Sequence, residues 1–203
     1  MRKRIWRVRL AAWLAFRIPT GRLLTVDKGD AYIEYSAPDT SVVTRAIEAI
    51  AGVWKSSRSP EQIKRQKEFD EKSEAATKAA FGDRIHEMFC VETLTTTEKK
   101  QGRGYGTALV ASVTAKADAA GRATYLLSSN VNNRGFYEHC GFHVVGEFTL
   151  GEDNPTWSKP PIVVQVMTRE AAGQSTHCRR AYIIWYCGAI RLANRTSNEE
   201  RDA

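Results

Sequence analysis

The chain of 203 residues is long enough for one sizeable core, and its 30 basic and 23 acidic residues leave a formal net charge of +7. That balance favours solubility and an anionic ligand, but with no recognised nucleic-acid motif beside it, it does not imply a specific nucleic-acid partner. No run reaches the roughly 18 apolar residues of a transmembrane span. The four cysteines lie at wide spacing with no CxxC, which argues against a disulfide framework or a metal site and reads as reduced thiols in an intracellular, cytoplasmic setting.

Residues 1–26 hold seven arginines and lysines and no acid, with Ile5, Trp6, Val8, Leu10, Trp13, Leu14 and Phe16 interspersed. Two readings stand: an amphipathic helix packed on the domain, or a basic segment of membrane-surface or mitochondrial-presequence character. From Asp27 to Tyr35 the alternation predicts a strand, and Pro38 and Asp39 turn the chain. Val42, Val43 and Ile47 suit a helix, and residues 49–55, AIAGVWK, suit a strand. A charged stretch follows, in which Ser59 is a helix cap, Pro60 suits the first helical position and Gln62 sits where a capping-box partner belongs. The expectation is a helix from Pro60 to about Phe81.

Residues 86–96 read as a further strand, with Met88, Cys90, Glu92 and Leu94 on one face and Phe89, Val91 and Thr93 on the other. A carboxylate on a central strand is costly to bury, and desolvation moves its pKa toward the working range of a proton acceptor. Glu92 is therefore the first candidate for a general base; a place at the sheet margin or an arginine pair is the alternative. Cys90 and Cys140 read as small buried hydrophobes.

After Glu92 the chain runs through TTTEKK into QGRGYGT, residues 101–107, and then into Leu109, Val110, Val113, Ala117 and Ala120 near a helical period, with Gly121 to end the helix. Gly102, Gly104 and Gly106 let backbone N–H groups approach an anion at a helix N-terminus. There is no GxxxxGK[ST], and the spacing is GxGxG, not the GxGxxG of a dinucleotide fingerprint. TYLLSS is a strand leading to Asn130, and a short helix from Arg134 to Cys140 is closed by Gly141.

With Gln101, Gly104 and Gly106 in a [Q/R]xxGx[G/A] pattern, followed by Asn130, Phe136, Tyr137, Gly141 and Phe142, the stretch resembles the acetyl-CoA-binding core of the GNAT superfamily of N-acetyltransferases. The resemblance extends over residues 84–170. It implies an α/β acyl-CoA N-acyltransferase fold: a mixed, mostly antiparallel sheet flanked by helices. The domain would span residues 27–170, with the charged helical insertion of residues 59–81 near the acceptor site.

Acetyl-CoA would be the donor, its pyrophosphate resting on amides of Gln101, Gly102, Arg103, Gly104, Tyr105, Gly106 and Thr107, with Arg103 and Lys99 or Lys100 adding charge. The strand exit at Leu94 and Thr96 would hydrogen-bond the pantetheine arm. Asn130 would be a backbone or cofactor hydrogen-bonder. Tyr137 would protonate the leaving thiolate or only touch the cofactor. Where the family commonly has a Val and a Pro before the Gln, this chain has TTTEKK.

Residues 142–150 and 162–170 are two more strands joined by a turn-rich loop in which Trp157 and Asp153 are candidates to shape an amine pocket. The tail, residues 171–203, contains AYIIWYCGAI, which lacks alternation, and a polar end of disordered composition. The expectation is transfer of acetyl from acetyl-CoA to a primary amine on a small molecule or protein. The alternative from another class is a non-catalytic acyl-CoA-binding or interaction module of the same fold, and a nucleic-acid-binding protein is a distant third.

Overall fold

In the computed structural model the described residues are 18–38, 59–152, 154 and 157–173. The N-terminal basic segment up to residue 17, the helix and strand expected within residues 42–55, Asp153 and the tail beyond residue 173 lie outside the described residues. All the elements that follow lie within the unit Met1–Ala171.

Six strands form one sheet in the order β1-β2-β3-β4-β6-β5. They are β1 (Leu23–Val26), β2 (Ala31–Ser36), β3 (Phe89–Thr96), β4 (Thr124–Ser128), β5 (His143–Leu150) and β6 (Ile162–Arg169). Every neighbouring pair is antiparallel except β3 and β4. That parallel pair needs a crossover, and α2 (Tyr105–Ala119) supplies it. The mixed, mostly antiparallel sheet matches the expectation. The strand expected from Asp27 to Tyr35 forms only from Ala31, as β2: residues 27–30 are the turn of a hairpin that joins β1 to β2. The strand expected from His86 starts at Phe89, because residues 82–87 form a 3-10 turn.

Helix α1 (Pro60–Phe81) has the expected start. The Ser59 amide donates to Gln62 Oε1 at 3.0 Å and the Gln62 amide donates to Ser59 Oγ at 3.3 Å, the reciprocal pair of a capping box. Its apolar side packs through Phe81, Ala76 and Ala80 against Met88, Tyr125, Leu127, Val166 and Phe148 on one sheet face. Ile63 is exposed, so the helix buries only its C-terminal half deeply. On the opposite face Leu109, Val110, Val113 and Ala117 of α2 pack on Ile33, Val91, Leu126 and Met167. Ala120, expected on this stripe, is the exposed C-cap. The Arg169 guanidinium donates to both Asp118 carboxylate oxygens at 2.8 Å, fixing β6 to α2.

The α1 face also holds the loop between β5 and β6. Lys72 Nζ donates to the Thr149 carbonyl at 3.0 Å, and the Gly151 amide donates to Glu68 Oε1 at 2.9 Å. Asn154 Nδ2 donates to Glu61 Oε1 at 2.9 Å, and the Arg65 guanidinium lies 5.2 Å from the centre of the Trp157 ring. The charged residues of α1 that composition placed on a wet face therefore anchor this loop. Gly151 has φ +89°, and a Cβ there would lie 2.8 Å from Trp157 Cδ1. Gly151→Ala combines left-handed strain of about 1–2 kcal/mol with a collision against a ring. A thermal melt of that variant is expected to show a fall in Tm, whereas Gly135→Ala, with open space around the added carbon and an ordinary φ, leaves Tm nearly unchanged.

Candidate functional site

The register of β3 shapes the site. Glu34 pairs with Thr93 and Tyr35 with Val91, so Glu92 is the extra residue of a β-bulge. The bulge changes the alternation: Phe89, Val91 and Leu94 all pack in the α2-side cluster, so Leu94 does not share the face of Cys90. The parallel ladder between β3 and β4 runs only from Phe89 and Thr124 to Val91 and Leu126. Beyond it β3 follows β2 to Thr96 while β4 follows β6 to Ser128. A split thus opens at the carboxyl ends of the two parallel strands, and it leaves one edge of residues 93–96 without a strand neighbour.

Helix α2 begins beside this split. Its N-cap is Gly104, at φ +80° and ψ 0°, and no side chain caps the helix. A Cβ residue is strained in that left-handed conformation, so glycine is the residue type the turn calls for. The first helical bond is from the Ala108 amide to the Gly104 carbonyl at 2.9 Å. The amides of Tyr105, Gly106 and Thr107 precede it and have no acceptor within the helix. Residues 101–104 in front of them are exposed. Orphan N–H groups, the positive end of the helix dipole and an open approach are the features of an anion cradle. Gly106 packs closely under α3 (Arg134–His139), since a Cβ on it would lie 3.3 Å from Phe136 Cζ and 3.8 Å from Leu94 Cδ2.

The loop before the cradle is held from the β1–β2 turn. The Thr97 amide donates to the Asp30 carbonyl at 2.7 Å, and Thr97 Oγ1 donates to the same oxygen at 2.9 Å. Gln101 Nε2 reaches the Thr96 carbonyl at 3.4 Å. Lys100 does not stand ready for phosphate: its ammonium lies 2.6 Å from Asp27 Oδ2 and 3.1 Å from Asp30 Oδ2. Tyr105 Oη donates to Asp27 Oδ2 at 2.9 Å. The hydrogen bonds from Lys100 and then Tyr105 hold the Asp27 carboxyl below its ordinary range. Lys99 and Arg103 are exposed.

The resemblance-derived residues gather around the split to different degrees. Tyr137 is half-buried in the α2-side cluster, edge-on to Phe136 at 5.0 Å and to Phe142 at 6.1 Å between ring centres. Burial, and after it the neighbouring Cys140, push its hydroxyl above the ordinary phenol value, so it keeps its proton at neutral pH. Asn130 is exposed, and its side-chain oxygen accepts from the Asn132 amide at 3.1 Å, capping the turn that leads into α3. Glu92 is exposed, which overturns the desolvation argument made for it. The buried carboxylate is instead Glu34 on β2, 2% exposed, opposite Thr93. Strand alternation had given no reason to expect it, since Ile33 and Tyr35 on either side are buried too.

Burial pushes the Cys90 thiol up to about 12, which disfavours the thiolate at neutral pH. Among the described residues no group of three or more His, Cys, Asp or Glu is arranged to hold a metal ion, and no helix is long and apolar enough to cross a membrane.

Residues 70–144 match the family model described as Acetyltransferase (GNAT) domain. Among solved structures, the chain is similar to a Drosophila melanogaster polyamine N-acetyltransferase that forms N-acetylagmatine, with a TM-score of 0.54 and 14% identity over 78% of this chain and 79% of that one. An agmatine N-acetyltransferase variant in its apo form gives a TM-score of 0.54 and 15% identity over 79% of this chain and 81% of that one. Nourseothricin acetyltransferase is 23% identical with a TM-score of 0.36, over 42% of this chain and only 51% of its own length. The chain spans about half of that relative's length, and likewise 56% and 54% of the chains of two further structures, from Agrobacterium tumefaciens and Lactobacillus plantarum. No curated protein matches the sequence at a significant level. The family-model match and the sheet order agree: this chain has the fold of the GNAT superfamily of acetyltransferases.

Proposed function

We propose that the protein is an N-acetyltransferase that moves acetyl from acetyl-CoA to a primary amine. The observation that carries the reading is the uncapped N-terminus of α2 behind Gly104, set beside the split between β3 and β4. Acetyl-CoA, when bound, supplies an acetyl group activated as a thioester. The amides of residues 105–107 would hold its pyrophosphate, and the open edge of β3 at Leu94 and Thr96 would bond the pantetheine amides. Glu92, the extra residue of the β3 bulge, would take the ammonium proton directly or through water. Tyr137, kept protonated by burial, would give a proton to the departing sulfur. The acceptor would be a small-molecule or protein amine.

Calorimetric titration with acetyl-CoA tests the donor site. Wild-type protein is expected to bind, and Gly104→Ala, strained by about 1–2 kcal/mol at the cradle, to bind about tenfold more weakly while Tm falls by only a few degrees. No binding by folded wild-type protein would sink the assignment. The exposure of Glu92 favours one rival, a module that holds acyl-CoA without turning it over. That rival binds acetyl-CoA equally well but releases no CoA with any amine.

A further inference from the structure

The β1–β2 turn lies outside the stretch that resembles the family's cofactor core, yet it reaches the donor cradle from both ends. Asp27 Oδ2 accepts from Lys100 Nζ at 2.6 Å, just before the cradle loop, and from Tyr105 Oη at 2.9 Å, at the first residue of α2. Between those two anchors lie only residues 101–104, exposed and containing two glycines with positive φ. The turn carries its own strain. Asp27 and Lys28 sit at φ +51° and +58°, the only non-glycine residues with positive φ among the described ones. Left-handed backbone at a side-chain-bearing residue costs free energy and persists where surrounding structure holds it, as at ligand clamps.

We infer that Asp27 is a positioning residue for the donor site: one carboxylate oxygen ties the two ends of the cradle loop together and presets the orphan amides for phosphate. The inference rests on the donor reading above. A flexible glycine loop closed over an anion must be ordered on binding, and a clamp that orders it beforehand appears as affinity. Lys100 sits between Asp27 and Asp30 and offsets one of their two negative charges, so the turn keeps a net negative charge. If the carboxylate acted instead as a simple like charge near the phosphates, its removal would tighten binding. The two accounts therefore predict opposite signs.

The test is a double-substitution cycle read by calorimetry with acetyl-CoA as the probe. Asp27→Gly removes the carboxylate and suits the left-handed backbone, and Tyr105→Phe removes only the hydroxyl while keeping the amide in the cradle. Each single variant is expected to weaken acetyl-CoA binding about tenfold. The double variant is expected to be little weaker than Asp27→Gly alone, because both changes cut the same tie. Thermal melts run alongside separate positioning from stability. A fall in Tm with unchanged affinity, fully additive losses, or tighter binding in Asp27→Gly each overturn the inference while leaving the donor site standing. Wild-type protein that is folded but binds no acetyl-CoA overturns the donor site and this inference with it.

Discussion

Tyr137→Phe is expected to lower the acetyl-transfer rate by roughly 10²–10⁴-fold, the usual contribution of a positioned proton donor, while acetyl-CoA affinity changes little. The ring is held by Phe136 and Phe142 through edge contacts, and phenylalanine preserves both, so packing is not the variable. The hydroxyl's pKa is raised, first by burial and then by Cys140. The sign follows from that: the acid form dominates through neutral pH, and the alkaline loss of activity assigned to Tyr137 falls above pH 10, since the ordinary phenol value is about 10. A pH–rate profile for wild type and variant reads this directly. If the variant keeps wild-type turnover, Tyr137 is a cofactor contact and the proton comes from elsewhere.

The largest effect on stability is expected at Leu126→Ala. Leu126 is 1% exposed, on the central strand β4, packed in the cluster with Ile33, Val91, Val113 and Met167. Truncation leaves a cavity between sheet and α2 and should cost about 2–5 kcal/mol. For a domain of this size each kcal/mol moves Tm by roughly 2–4 °C, so a fall on the order of 10 °C is expected in a thermal melt. Ile63→Ala, at a side chain that is 53% exposed on α1, should change Tm by little. An equal fall for both would mean that the apolar cluster is not the source of cohesion.

The parts of this fold that were legible in the sequence are those written in local chemistry. The capping box at Ser59 and Gln62, the glycines before α2 and the period of Leu109, Val110 and Val113 each use residues within a turn or two of one another. The features that were not legible depend on partners far along the chain. Glu92 alternates with its neighbours on paper, and only its pairing with β2 makes it the extra residue of a bulge and moves Leu94 to the other face. The tie from Asp27 to Lys100 spans 73 positions, and no pattern within either segment announces it. A turn-like Asp-Lys-Gly-Asp between two apolar runs was the available signal for the hairpin, and reading residues 27–35 as one strand passed over it. Likewise Lys100 looked like phosphate charge because its two carboxylate partners lie on another element.

The parallel register of β3 and β4 carries a consequence for when the cleft exists at all. Both strands must be docked, with α2 crossing between them and β6 seated beside β4, before their ends can diverge. Parallel pairing of this kind joins distant segments and forms late compared with local helices. A partly assembled chain therefore presents no cleft, and a molecule that occupies it recognises the native sheet alone. Such a molecule is a thermodynamic chaperone of the folded form: at a free concentration about a hundred times its Kd it adds about 2.7 kcal/mol against unfolding.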